Sequence, residues 1–306
     1  MTAKNLDPRV PSRARKLVIA LPYLWLIVFF LLPFLIVFKI SLAQSAIALP
    51  PYRPVLDLAA GWRGIENFFA GLSLDNYRLL VAGDLHAYAN SLIYAALATG
   101  LCLLIGYPIA FAIARAPKAW RNPLLFFVIL PFWTSLLLRV YAWIAILQPT
   151  GLLNRALETF GLINQPLLLI YNGFSVVLGL VYAYLPFMIL PLYGSLSRLD
   201  ESLLEAAGDL GARPARVFWQ VVLPLSLPGV AAGALLVFIP AIGEFVIPDL
   251  LGGPGTLMVG KVLWQEFFEN VDWPEAAAVA MVLVALLTAP LLLAQHLAER
   301  PQTRPP

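Results

Sequence analysis

Residues 205–229 read EAAGDLGARPARVFWQVVLPLSLPG, a compact charged segment between two long apolar runs. A connector that only joined two apolar helices would need no such pattern. Asp200 and Glu201 stand just ahead of Leu203, Leu204 and Glu205-Ala206-Ala207, where acids favour a helix N-terminus. Gly211 interrupts the pattern, and Arg213-Pro214 restarts it with proline near a first helical position. The segment therefore reads as helix, glycine turn, helix, then Leu223-Pro224 leading into the next apolar run. Spacing alone leaves two accounts: an amphipathic hairpin lying on a lipid surface, or a rigid element that engages another protein.

The surrounding sequence sets the class. Of 306 residues, 61% are hydrophobic and 12% charged, roughly half the charged fraction of a soluble domain. Several uncharged runs reach the ~20 residues that a helix needs to cross a bilayer. The expectation is an all-α polytopic transmembrane bundle with six spans, at 17–42, 88–114, 124–147, 173–196, 225–248 and 276–298. The alternation of a membrane β-barrel is absent. Prolines inside the runs (Pro22, Pro33, Pro108, Pro131, Pro186, Pro191, Pro240, Pro290) read as kinks, because neighbouring helices can satisfy the freed carbonyls. GVAAG at 229–233 is a small-xxx-small pattern suited to close helix packing. The first span carries a basic lead and AIA at 46–48, like a cleaved signal, but its apolar core is too long and it reads as a retained span.

Lysine and arginine give the orientation. They gather in the tail 1–16 (Lys4, Arg9, Arg13, Arg15, Lys16), after the second span (Arg115, Lys118, Arg121), in the loop 197–224 (Arg198, Arg213, Arg216) and in the tail 299–306 (Arg300, Arg304). All four segments fall on one side, taken as cytoplasmic, with both termini. The segment 43–87 and the other loops are acidic (Asp57, Glu66, Asp75, Asp84, Glu158, Asp249, Glu266, Glu269, Asp272, Glu275). A net charge of +3 spread over several loops gives no case for a nucleic-acid partner.

The quoted stretch resembles a known signature. EAA (Glu205, Ala206, Ala207), three residues, Gly211, nine residues, Val221, one residue and Leu223-Pro224 is similar to the loop of permease subunits of binding-protein-dependent ABC importers. Valine at 221, where isoleucine is usual, is the one departure. The resemblance covers 86–296 and implies the type I importer fold, with residues 197–224 as a cytoplasmic coupling loop seated on a separate ATPase. PFWTSLLLRVYAW (131–143), VYAYLPFMILPLY (181–193) and GEFVIPDLLGGPGTLMVGKVLWQEFF (243–268) resemble the polyamine branch, above all its putrescine permeases. What this implies is a multi-pass protein of the bacterial inner membrane. It would work with a homologous sister permease as a heterodimer, two ATPase subunits and a periplasmic polyamine-binding protein. ATP and magnesium would then be bound on the ATPases, with no cofactor on this chain. The competing reading is a secondary transporter or channel subunit for a small cation, but no internal repeat supports it.

Candidate residues follow from charge and aromaticity inside the spans. Arg139 and Glu244 are intramembrane charges, each of which needs a partner or water. Counted along uninterrupted helices they lie roughly 22 and 28 Å from the cytoplasmic ends of their spans, which places both toward the periplasmic side. One reading has Glu244 facing a hydrated cavity and receiving an amine end, with Arg139 close enough to influence it. The other has a structural Arg139–Glu244 bridge or two separate anchors. Trp133, Tyr182 and Tyr184 are candidates for the route, as aromatic faces attract alkyl ammonium groups; ordinary packing is the alternative.

Three further patterns carry less. GTLMVGKV at 255–262 has the glycines and lysine of a phosphate loop, but Val262 stands where Ser or Thr would be needed. Its surroundings, through 273, read as an external loop with a short helix in which Trp264, Phe267 and Phe268 pack on the permease. His86 and His296 lie near opposite faces and cannot share a metal, and the single cysteine, Cys102, offers neither disulfide nor thiolate cluster. No catalytic set can be assembled on one face, so the chain reads as a non-enzyme.

Overall fold

A computed structural model describes residues 12–55 and 61–298. The tail before residue 12, Asp57 and the tail 299–306 with Arg300 and Arg304 lie outside them, as does the side chain of His296. The helices are α1 Ser12–Leu26, α2 Leu32–Ser41, α3 Trp62–Ala70, α4 Asp75–Gly83, α5 Leu85–Arg115, α6 Lys118–Ile129, α7 Leu136–Leu147, α8 Leu152–Thr159, α9 Gly173–Leu196, α10 Glu201–Asp209, α11 Pro214–Val217, α12 Leu223–Ile242, α13 Val246–Leu251, α14 Val259–Trp264 and α15 Trp273–Ala298. Five helical stretches among the described residues are long and apolar enough to cross a membrane. One of them, Leu136–Thr159, is interrupted by a turn at 148–151. The sixth expected span falls on α15, whose described apolar part is Trp273–Thr288.

The chain divides into two compact units, Val81–Gln265 and the remainder. In the remainder, α2 packs on α15. Asn76 ties α4 to the end of α2, its Nδ2 donating to the carbonyls of Ser41 at 2.9 Å and Ala43 at 2.7 Å. The α1–α2 stretch shows its large apolar side chains to the outside from Val18 to Phe38, as a helix solvated by hydrocarbon does.

The second unit is built on α5, α9 and α12, each packed on the other two. Its core shows how small residues hold helices together where lipid removes the hydrophobic drive. Along α5 the fully buried positions are Ser91, Ala95, Ala98, Cys102 and Ala110, with Gly106 completing the stripe. Along α12 the buried positions are Ser226, Gly229, Gly233, Val237, Ala241 and Ile242. A Cβ on Gly106 would sit 3.2 Å from Met188 Cγ; on Gly233, 2.8 Å from Met188 Sδ; on Gly229, 2.6 Å from Ser195 Cβ. Helix α9 therefore lies between two small-residue faces, and the expected close packing at 229–233 is what the structure has. We expect Gly229→Val to lower the melting temperature of the detergent-purified protein, since overpacking costs about 1–3 kcal/mol. An unchanged melting curve would mean that α9 and α12 are not held at this contact.

Two expected spans are not continuous helices. The third is broken: α6 ends at Ile129, a 3₁₀ turn covers Leu130–Trp133, Thr134 is extended, and α7 starts at Leu136. Thr134 Oγ1 donates to Pro131 O at 2.8 Å, which satisfies one carbonyl freed at the break. The fifth stops at Ile242 rather than 248, and Gly243–Phe245 separate it from α13. At its other end, helix runs on without interruption from Pro214 to Ile242 through a π-helical turn at Phe218–Val222. A second π turn, Ile27–Leu31, precedes Pro33 at the same spacing as the first precedes Pro224. A proline clashes with the carbonyl four residues back, and the wider turn moves that carbonyl aside. The junction at Leu223-Pro224 is thus a re-registered helix.

Candidate functional site

The quoted stretch folds as its residues dictate. Asp200 caps α10, its Oδ1 accepting from Ser202 N at 3.0 Å, and these Ser202 bonds hold its carboxyl below the usual range. At the other end, Gly211 N donates to Gly208 O at 2.8 Å and Ala212 N to Ala207 O at 3.1 Å. This pair is the Schellman motif, which calls for a left-handed residue just past the helix. Gly211 supplies it with φ +78°. Pro214 then opens α11 at its first turn. Glu205, Ala206 and Gly211 are exposed, Ala207 is half-buried, and Leu203 and Leu210 are exposed at 48% and 88%. The hairpin has a defined, hydrogen-bonded turn and presents exposed leucines.

Contacts tie this hairpin to one end of the α5–α9–α12 core. Arg115 Nη1, at the end of α5, lies 3.7 Å from Glu201 Oε1. Phe218, in the π turn, meets the Tyr107 ring edge-on at 5.5 Å, and the buried Tyr107 hydroxyl bonds Ser226 Oγ at 2.8 Å. The basic loops after the second and fourth expected spans therefore share one end, as their charge required. At the opposite end, Asn90 Nδ2 donates to the carbonyls of Gly255 at 3.2 Å and Leu257 at 3.1 Å, and Ser91 Oγ accepts from Val259 N at 2.8 Å. These bonds, with Met258 and Val259 fully buried, make GTLMVGKV a packed structural segment with no phosphate cradle. Sequence reading passed over Asn90 and Ser91, although two adjacent amide and hydroxyl side chains opening an apolar run were the available signal.

The second locus lies half-way along α9. Tyr184 donates its hydroxyl to Glu244 Oε2 at 2.5 Å, and Val246 N donates to Glu244 Oε1 at 3.1 Å. Glu244 thus sits in the break between α12 and α13, beside the middle of α9. A Cβ on Gly260 would run into the carbonyl oxygens of Gly243 and Glu244, so α14 clamps the backbone of the break. Phe245 stacks on Trp264 with centroids 4.6 Å apart, as expected for a permease-facing Trp264. In the other unit, Phe267 stacks on Trp273 at 5.4 Å and meets Phe268 edge-on at 4.8 Å.

Arg139 does not bridge to Glu244; among the described residues no carboxylate pairs with it within 4.0 Å. Its guanidinium carbon is 5.5 Å from the Phe132 ring centroid and 5.9 Å from that of Tyr182. Phe132 meets Phe187 edge-on at 5.1 Å, and Phe187 lies 6.1 Å from the Tyr184 ring. A chain of rings, Phe132–Phe187–Tyr184, therefore runs from one charge to the other. Tyr182 also meets Trp143 edge-on at 5.5 Å. Trp133 stands apart: it is 77% exposed and contacts Phe126 at 5.9 Å. The 3₁₀ turn sends its neighbour Phe132 to the cluster instead. His86 is exposed, and no group of three or more metal-ligating side chains occurs among the described residues.

A three-helix core with broken helices, a half-buried acid at mid-bundle and an exposed hairpin at one end fits a membrane permease subunit. The breaks alone would also suit a secondary carrier. A family model decides between them: residues 103–301 match "Binding-protein-dependent transport system inner membrane component", and the chain belongs to that family of bacterial inner-membrane permease subunits. It is 40% identical over 281 residues, 91% of this chain and 92% of the relative, to the spermidine/putrescine transport system permease protein PotB of Haemophilus influenzae. The Escherichia coli K12 protein of the same name is 42% identical over 221 residues, 72% of this chain and 80% of the relative. An Escherichia coli inner membrane ABC transporter permease protein, YdcU, is 32% identical over 264 residues, 77% of this chain and 82% of that one. A solved bacterial ABC transporter involved in import of the acidic polysaccharide alginate has the same fold, with a TM-score of 0.63 at 16% identity over 95% of this chain and 98% of that one. The permease is not an enzyme; ATP hydrolysis lies on separate subunits of such systems.

Proposed function

We propose that the chain is a permease subunit of an ATP-driven polyamine importer and that putrescine is among its cargo. The observation that carries this is the similarity to a spermidine/putrescine permease along nine-tenths of the chain. The site supports it chemically. An alkyl diammonium offers N–H donors only, as a lysine head does, and Glu244 is an acceptor at mid-bundle. The Phe132, Phe187 and Tyr184 faces add cation–π contacts of about 0.5–2 kcal/mol, weak enough for the cargo to leave.

In this reading a loaded binding protein docks on the periplasmic segments 43–87 and 252–273. The sister permease, a homologue, completes the pathway as a heterodimer. ATP closes two ATPases, which draw the coupling hairpins together through Glu205, Ala206, Ala207 and the Gly211 turn. Leu223-Pro224 carries the motion into α12, the bundle opens outward to receive the amine, and hydrolysis resets it. The test is uptake of labelled putrescine by the reconstituted complex, competed with spermidine, agmatine and lysine. Putrescine uptake inhibited by spermidine but not lysine is expected. A complex that carries none of the amines would refute the proposal.

A further inference from the structure

Arg139 is half-buried, and its Nε and Nη1 are buried without any hydrogen-bond partner; no other side-chain nitrogen or oxygen of that kind is found among the described residues. An unsatisfied buried donor is costly, and more so when charged, so a conformation of the protein in which these donors are satisfied is strongly favoured. An amine cargo cannot supply that partner, because ammonium groups carry no acceptor and would repel the guanidinium. Where water does not reach these nitrogens, the acceptor has to come from protein. Glu244 is the acid linked to it through the rings of Phe132, Phe187 and Tyr184. Helix α7 packs on both α9 and α13, α13 begins two residues after Glu244, and Tyr182 and Tyr184 place the two charges at one level of α9. Both side chains also lie at breaks: Arg139 one turn past the 130–135 interruption, with its N–H bonded to Ser135 O at 3.2 Å, and Glu244 within Gly243–Phe245.

We infer that Arg139 is the second partner of Glu244. In the conformation seen here the carboxylate is held by Tyr184 and Val246; in the other state of the transport cycle it turns to the guanidinium. That exchange removes the acceptor from an amine head and places a positive charge beside it, which expels the cargo. Arg139 is then a release residue acting through Glu244, and the inference rests on the reading of Glu244 as the amine acceptor.

The test uses the complete reconstituted complex with Arg139→Gln, Glu244→Gln and the double variant. If Arg139 competes for the carboxylate, Arg139→Gln lowers the KM for putrescine by about three- to tenfold, since the competent fraction of the site rises, and slows turnover by a similar factor. Neither change should occur in the Glu244→Gln background. In Arg139→Cys/Glu244→Cys, a short bifunctional thiol reagent should join the pair in one nucleotide state only. Equal effects of Arg139→Gln in both backgrounds, or no cross-link in any nucleotide state, would overturn the exchange and leave the Glu244 reading standing. Wild-type uptake by Glu244→Gln would remove both. Should Arg139→Gln not assemble, rescue of assembly by adding Glu244→Gln supports the pairing. Failure of that rescue assigns Arg139 to some other acceptor, such as one on the sister subunit, and overturns it.

Discussion

Glu244→Gln is expected to reduce amine uptake by about ten- to a hundredfold while leaving assembly and basal ATP hydrolysis in place. A hydrogen bond to a charged group contributes about 1.5–3 kcal/mol, and each 1.4 kcal/mol is about a factor of ten. The carboxamide keeps the shape of the side chain. It has one acceptor oxygen where the carboxylate has two, so it retains one of the bonds from Tyr184 and Val246 and costs the fold about 1.5–3 kcal/mol. The loss should therefore appear in uptake per assembled complex and not in yield. Normal transport, or a variant that fails to assemble and is repaired by Arg139→Gln with full uptake, would make the carboxylate structural.

Gly211→Val should abolish coupling with an equally large effect. A Cβ at this position meets nothing within 4 Å, so crowding is not the cause. The cost is the backbone: φ is +78°, where an L-residue is penalised by roughly 1–2 kcal/mol and a β-branched one is a true outlier. Valine would drive the chain out of the left-handed well, break the Ala212–Ala207 and Gly211–Gly208 bonds, and misdirect α11. We expect uptake and substrate-stimulated ATP hydrolysis to fall about tenfold or more, with membrane insertion unchanged. Asparagine tolerates this conformation and should rank above alanine, and alanine above valine. Glu205→Ala, which removes an exposed acid from the hairpin, should weaken the same coupling. Wild-type uptake in both Gly211→Val and Glu205→Ala would defeat the assignment of this hairpin as the coupling element.

The hairpin was legible because every signal in it is local: an acid cap, a glycine after the last turn and a proline at the restart. One contact of the three-helix core was legible for a similar reason, since small residues at 229 and 233 repeat at helical spacing. The breaks were not. Pro131 and Pro108 look alike in an apolar run, yet Pro108 lies inside continuous α5 while Pro131 lies at an interruption. The difference is tertiary, and partners such as Thr134 Oγ1 for a freed carbonyl are not announced by periodicity. Once the helix breaks, the 3.6-residue count fails, which is why Phe132 and not Trp133 faces the cluster. The Tyr184–Glu244 bond was likewise invisible, since it joins residues 60 positions apart. Phe187 was missed because an aromatic in an apolar helix has no feature to separate a ring bridge from core packing.

Transport by this chain is taken to be driven by ATP through partner subunits. The direct measurement is labelled putrescine uptake into proteoliposomes that hold this chain, its sister permease, the ATPases and the binding protein, compared with vesicles that hold this chain alone. Uptake that requires ATP inside, the binding protein outside and an intact Gly211 turn is the result predicted. Accumulation by this chain alone, driven by an ion gradient or by the amine's own gradient, would contradict it.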